Sequence, residues 1–269
     1  MMKKSIVVST PGATFSALAM KEEFKDSLRK LACLGCNAVE LSIKDPALID
    51  VNETRTLLRQ YGLAMPAIST GRAYGEDGLS LTDPDSGIRR KAVQRIKDQM
   101  DLAVQLDGAF VIIGLIRGTV KPGQDGRQAE RYFMESVSEC LGYRPEITLV
   151  VEPINRYETS LFNDTLSVQE IIGTLGRPNL KMLVDTFHMN IEEPNMAESI
   201  YRAGDCIAHV HVADSNRWAP GSGHINFGEI LDALTRIGYA GAISAEILPK
   251  PTPEESVRLT MECYRKWGL

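Results

Sequence analysis

Glu152, Asp185, His211 and Glu246 are the residues of this 269-residue chain whose types and spacing point most directly to chemistry. Each ends or lies in a short apolar run: Ile147 to Val151 before Glu152, Leu180 to Val184 before Asp185, Ile207 to Val212 around His211, and Ala242 to Ala245 before Glu246. Consecutive members lie about 30 residues apart, the length of one strand-plus-helix unit. Brought to one point, three carboxylates repel strongly, and a divalent cation is the simplest way to make them compatible. Three oxygens and one imidazole nitrogen suit one Mn²⁺-like ion with open positions, and Co²⁺, Mg²⁺ and Zn²⁺ also accept such ligands. A lone acidic residue at a strand end can equally be a cap or a salt-bridge partner; four at successive strand ends argue for a site. His209, deeper on the face that carries His211, reads as a hydrogen-bonded support.

The elements that must position these residues follow from an alternation along the chain. Short β-branched runs recur at Ser5 to Ser9, Ala38 to Leu41, Leu63 to Ile68, Phe110 to Ile113, Ile147 to Val151, Leu180 to Val184, Ile207 to Val212 and Ala242 to Glu246. Segments of helical period separate them, most clearly Ile88, Ala92, Val93, Ile96, Met100 and Ala103 on one face. Thr252-Pro253-Glu254-Glu255 is a start signal for the last helix. Eight such units without a long linker predict an α/β fold, a single (β/α)8 TIM barrel spanning residues 1–269, rather than the two domains that length alone suggests. In such a barrel, function sits at the C-terminal ends of the strands. The turn Ser9-Thr10-Pro11-Gly12-Ala13-Thr14 lacks the dinucleotide fingerprint of a doubly wound sheet, and Gly221-Ser222-Gly223 reads as a loop, not a phosphate cradle.

Composition narrows the partners. The chain is 43% hydrophobic and 24% charged, an ordinary globular balance. Its net charge is −5 and its 30 basic residues are scattered, which argues against nucleic acid. No apolar run approaches the ~20 residues of a membrane span or the pattern of a signal peptide, and five cysteines, an odd number, suit a reducing cytoplasm. Cys33-Leu34-Gly35-Cys36 has redox spacing but stands alone and reads as structural, with Gly35 ending the first helix. All four histidines fall between His188 and His224, which disfavours a multi-zinc site drawing imidazoles from both halves.

The segments Val150 to Glu158, Val184 to Ile191 and His209 to Arg217 resemble the xylose-isomerase-like sugar epimerase and isomerase superfamily, in its ketose 3-epimerase branch. The resemblance spans the barrel and is most specific from residue 147 to 248. The loop stretches Gly78 to Thr82, Ile112 to Gly118 and Asp214 to Gly221 are similar to those of epimerases acting on keto-uronic acids such as 5-keto-L-gluconate and D-tagaturonate. The resemblance implies that Glu152, Asp185, His211 and Glu246 bind the metal. It also implies that Glu152 and Glu246 are the two acid/base groups on opposite substrate faces, that Glu158, His188 and Arg217 hold substrate oxygens, and that the chain forms a dimer or tetramer. Arg217 can instead stack on its neighbour Trp218, and Glu158 can be a loop ion pair. Arg72 and Arg117, which follow the third and fourth runs, could each clamp a substrate carboxylate or be solvated loop residues.

The expected activity is therefore a metal-dependent epimerase of a ketose or keto-sugar acid. Inverting the carbon beside a ketone requires removing one proton and returning another to the opposite face, and two opposed bases do this through an enediolate that a Lewis acid stabilises. An aldose-ketose type isomerase acting on hydroxypyruvate or an inosose would use the same site. An abasic-site endonuclease on the same fold, disfavoured by charge, and a non-catalytic sugar-binding barrel are the competitors from other classes.

Overall fold

The computed structural model describes residues 2–9 and 24–269. Residues 10–14, part of the segment read as lacking the dinucleotide fingerprint, lie outside the described residues. Among the described residues, eight parallel strands close into a barrel in chain order. They are β1 (Lys3–Ser9), β2 (Glu40–Ser42), β3 (Ala67–Ser69), β4 (Phe110–Ile113), β5 (Leu149–Val151), β6 (Leu180–Asp185), β7 (Ile207–Val212) and β8 (Ala242–Ala245). β1 pairs with both β2 and β8, so the described strands leave no open edge. The expected (β/α)8 barrel is the observed one.

Four strands, β2, β3, β5 and β8, are shorter than their runs. Pro66 has no N–H to give a ladder, so the run from Leu63 becomes regular only at Ala67, while Ala38 and Ala64 meet in an isolated bridge. Ile147 belongs to the turn before β5, its N–H donating to the Arg144 carbonyl.

Alternation sorts each strand into two faces. The outward residues Leu149, Val151, Met182, Val184, Val210, Val212, Ile243 and Ala245 join one core with the surrounding helices. The helix Ser86–Gln105 buries Ala92, Val93, Ile96, Met100 and Ala103 of its predicted stripe, and Ile88 is half-buried. The last helix, Pro253–Lys266, begins where expected, with Thr252 Oγ1 accepting from the Glu255 N–H at 3.2 Å. Gly35 follows the helix Phe24–Leu34 at φ +98°, and Cys36 is buried with its thiol 3.4 Å from Met261 Sδ, as a structural cysteine should be. No described helix is long and apolar enough to cross a membrane.

The inward residues form a small apolar plug of Ala67, Ile112, Val150 and Leu183. Above it the same alternation sends the next inward positions toward the C-terminal mouth. One two-residue step leads from Val150 to Glu152, from Leu183 to Asp185, from His209 to His211 and from Ser244 to Glu246. Register fixes their heights, with Asp185 opposite His211 and His211 opposite Ser244.

Candidate active site

Glu152, Asp185, His211 and Glu246 each offer a ligand atom, and these atoms all lie within 4.8 Å of one another. All four residues are buried. Asp185 caps the following helix, Thr186–Glu192, by accepting the Phe187 N–H at Oδ1 (2.8 Å), which leaves Oδ2 for the group. Glu152 Oε1, Asp185 Oδ2 and His211 Nδ1 are buried without a hydrogen-bond partner, an arrangement that costs free energy unless a cation satisfies them. Burial, with Glu246 and Asp185 nearby, pushes the Glu152 carboxyl up to about 8. Burial and Glu246 raise Asp185 to about 6 against the opposing charges of His211 and Arg217. Two orphaned carboxylate oxygens and an orphaned imidazole nitrogen, converging with Glu246, fit a divalent cation.

The remaining polar residues surround this group. Asn155, which sequence reasoning did not single out, is 1% exposed and donates from Nδ2 to His188 Nδ1 (2.7 Å) and to Glu158 Oε1 (3.0 Å). Its Oδ1 accepts the Tyr157 N–H, which fixes the amide orientation. His188 thus accepts at Nδ1 and carries its proton on Nε2, which lies 3.7 Å from Glu152 Oε1 and 3.8 Å from Asp185 Oδ2. Burial and the nearby charges of Arg217 and His211 hold its pKa well below the usual imidazole value, so it is a neutral donor.

Arg217 spans the mouth, donating to Glu158 Oε1 and Glu246 Oε2 at 2.8 Å each. The ring beneath its guanidinium is Phe187, 4.8 Å away. Its backbone is left-handed (φ +59°), held by its N–H on the Asp214 carbonyl and by the Leu248 N–H on its own carbonyl. Asp214, wholly buried, accepts the N–H groups of Ser215, Gly221 and Ile225 and so organises the loop. The glycines of Gly221-Ser222-Gly223 therefore serve loop geometry: a Cβ on Gly223 would sit 2.3 Å from Asp214 Oδ1.

The two arginines considered as carboxylate clamps part company. Arg72 lines the site cavity, which is bounded also by Ser42, Ser69, Ile112, Glu158 and His188. Glu76 holds its Nε and Nη2 at 2.9 and 3.2 Å. Arg117 is a correction. Wholly buried, it donates to the carbonyls of Gly114, Leu161, Phe162, Ile113 and Glu152, one bond for each of its five N–H groups, and none is left for a substrate.

Beneath the group lies a carboxylate absent from the sequence reading. Glu40 Oε2 accepts from both His209 Nε2 and His211 Nε2 at 2.8 Å, with all three side chains buried. Burial alone would raise Glu40, but the charge on His211 and the two hydrogen bonds hold it well below the usual carboxylate range. His209 is the hydrogen-bonded support expected of it. The available signal for Glu40 was an acidic residue at an inward position of the run Ala38 to Leu41. A larger hollow at the opposite end, beside Lys3, Pro66, Phe110 and Ala242, holds no convergent His, Cys, Asp or Glu group among the described residues.

Barrel and site together define a (β/α)8 protein with a candidate divalent-metal centre at its mouth. The model of the xylose isomerase-like TIM barrel family matches residues 28–267, and the chain belongs to that family. It is 32% identical over 239 residues to the L-ribulose 3-epimerase of Methylomonas sp. (strain DH-1), covering 86% of this chain and 80% of that protein. It is also 32% identical over 234 residues to the 3-dehydro-D-guloside 4-epimerase of Escherichia coli (strain K12), covering 84% and 87%. The crystal structure of a D-allulose 3-epimerase from Methylomonas sp. in complex with D-allulose superposes with a TM-score of 0.83 at 25% identity, covering 98% of this chain and 96% of that one. The protein is a carbohydrate epimerase.

Proposed function

We propose that the chain inverts the carbon next to the ketone of a ketose or keto-sugar acid, with six-carbon keto-uronates of the tagaturonate and 5-keto-gluconate kind as the favoured substrates. The observation that carries this reading is the convergence of Glu152 and Glu246, from strands three places apart, on one cavity that Arg217 and His188 also line. One glutamate withdraws the proton beside the carbonyl and the other returns a proton to the opposite face; the reverse reaction exchanges the roles. Each positioned carboxylate contributes roughly 10²- to 10⁴-fold. His188 Nε2–H and Arg217 donate to substrate oxygens, and Glu158 accepts from a hydroxyl. Ile112, Leu115 and Ile154 supply apolar walls that limit water.

Glu152, Asp185, His211 and Glu246 would hold one divalent ion, Mn²⁺ before Co²⁺, Mg²⁺ or Zn²⁺. When bound, the ion supplies Lewis acidity to the carbonyl oxygen and the developing negative charge. Arg72 lies on the cavity wall beside its partner Glu76, and a substrate carboxylate would compete with Glu76 for its guanidinium.

The test is incubation of the Mn²⁺-loaded protein with a panel of ketoses and keto-uronates in deuterated water, followed by NMR. Deuterium at a single inverted carbon beside a retained ketone is expected. A moved carbonyl would mean an isomerase, and no exchange beside any carbonyl would overturn the proton-transfer reading. On the same panel, Arg72→Ala should lower kcat/KM for keto-uronates at least tenfold more than for neutral ketoses; equal losses would remove the acid preference.

A further inference from the structure

An imidazole at a strand end can present either ring nitrogen, and the partner of one nitrogen decides what the other offers. In His211 the choice is made from below. Nε2 lies 2.8 Å from Glu40 Oε2. An ionised carboxylate only accepts, so Nε2 carries the hydrogen, and Nδ1 is left facing Glu152 Oε1 at 3.8 Å with no hydrogen-bond partner. Glu40 is itself held from a second side, because His209 Nε2 donates to the same oxygen at 2.8 Å. The two imidazoles stand edge to face, with centroids 5.3 Å apart and planes at 77°. Phe110 packs edge-on against His209 at 6.4 Å. Neither imidazole nor the Glu40 carboxylate can turn without breaking a buried hydrogen bond.

We propose that Glu40 is a positioning residue that fixes the ring orientation and tautomer of His211, so that Nδ1 presents its lone pair to a divalent cation. His209 serves to orient Glu40. The inference rests on the metal reading of the four-residue group and adds to it a carboxylate from β2, on the far side of the barrel.

Two measurements test it, neither of which reads activity. Mn²⁺ titrated calorimetrically into the metal-free protein should bind 10- to 100-fold more weakly to Glu40→Gln than to the parent, with circular dichroism unchanged. A loss smaller than tenfold in a folded variant would overturn the proposal while leaving the metal site standing. Independently of whether Glu40→Gln folds, long-range ¹H–¹⁵N spectra of the Zn²⁺-loaded parent should show His211 protonated at Nε2 and ligated at Nδ1. The opposite tautomer would overturn the proposal. A parent chain that binds neither Mn²⁺ nor Zn²⁺ would overturn the metal reading and this inference with it.

Discussion

Glu152 occupies space that Gly114 leaves open. A Cβ at position 114 would stand 3.0 Å from Glu152 Oε2, closer than ordinary contact, and the carboxylate would have to shift by a few tenths of an ångström. A displaced acid/base group loses rate steeply, since misplacement by about 1 Å can cost 10²-fold. Gly114→Ala is therefore expected to lower kcat about tenfold with the melting temperature within a few degrees of the parent. Steady-state kinetics beside a thermal melt check this, and an unchanged kcat would mean that the carboxylate position is not critical. At this scale the sequence was informative where chemistry coincides with strand ends: Glu152, Asp185, His211 and Glu246 each interrupt an apolar run and stand about one unit apart. Asn155 carries no such mark, and Glu40, although it interrupts the run Ala38 to Leu41, takes its meaning from histidines up to 171 residues away.

Elements hold these residues by bonds that a strand pattern does not reveal. Arg117 stitches the ends of β4 and β5 to the 161–162 loop through five backbone carbonyls, and Gly118 beside it runs at φ +83° against Ser80 and Thr82. A loop arginine after a strand looks the same in sequence whether it reaches into the cavity or turns back on the backbone, which is why it was read as a possible clamp. Arg72, one strand earlier, lines the cavity while its guanidinium bonds to Glu76 and Ser9. Replacing Arg117 with methionine keeps much of the volume but strands buried carbonyls, each costing about 1–3 kcal/mol when unsatisfied. Arg117→Met should thus lose at least about 3 kcal/mol of stability in urea unfolding. A loss below about 1 kcal/mol would show that the loop relaxes to water. Strand boundaries were legible to within a few residues, and the largest misreading has a local cause in Pro66, whose missing N–H delays β3.

At the scale of the whole molecule, the barrel confines Glu152, Asp185 and Glu246 with His211 in its mouth, and stability must depend on what neutralises them. Glu152 (about 8) and His211 (about 10) both have folded-state values above their ordinary ones. For Glu152 burial is the main cause, reinforced by Glu246 and Asp185. For His211 burial opposes the shift and the Glu40 charge and hydrogen bond outweigh it. A group with a raised folded value stabilises the fold below its unfolded value and loses that contribution as pH rises through the folded one. In the metal-free protein both groups therefore withdraw stability between about pH 7 and pH 8, while His188 and His209, held low, have already lost their protons. Cation binding runs the other way, because ligands must shed protons to coordinate, so affinity grows over the same interval. The melting-temperature gap between Mn²⁺-saturated and chelator-treated protein should accordingly be wider at pH 8 than at pH 7. Part of any gap follows from mass action alone, about 2.7 kcal/mol at a hundredfold excess of ion over Kd. Its growth with pH is the specific signature, since a cation held only by exposed carboxylates, already ionised at pH 7, would give a gap that does not change with pH.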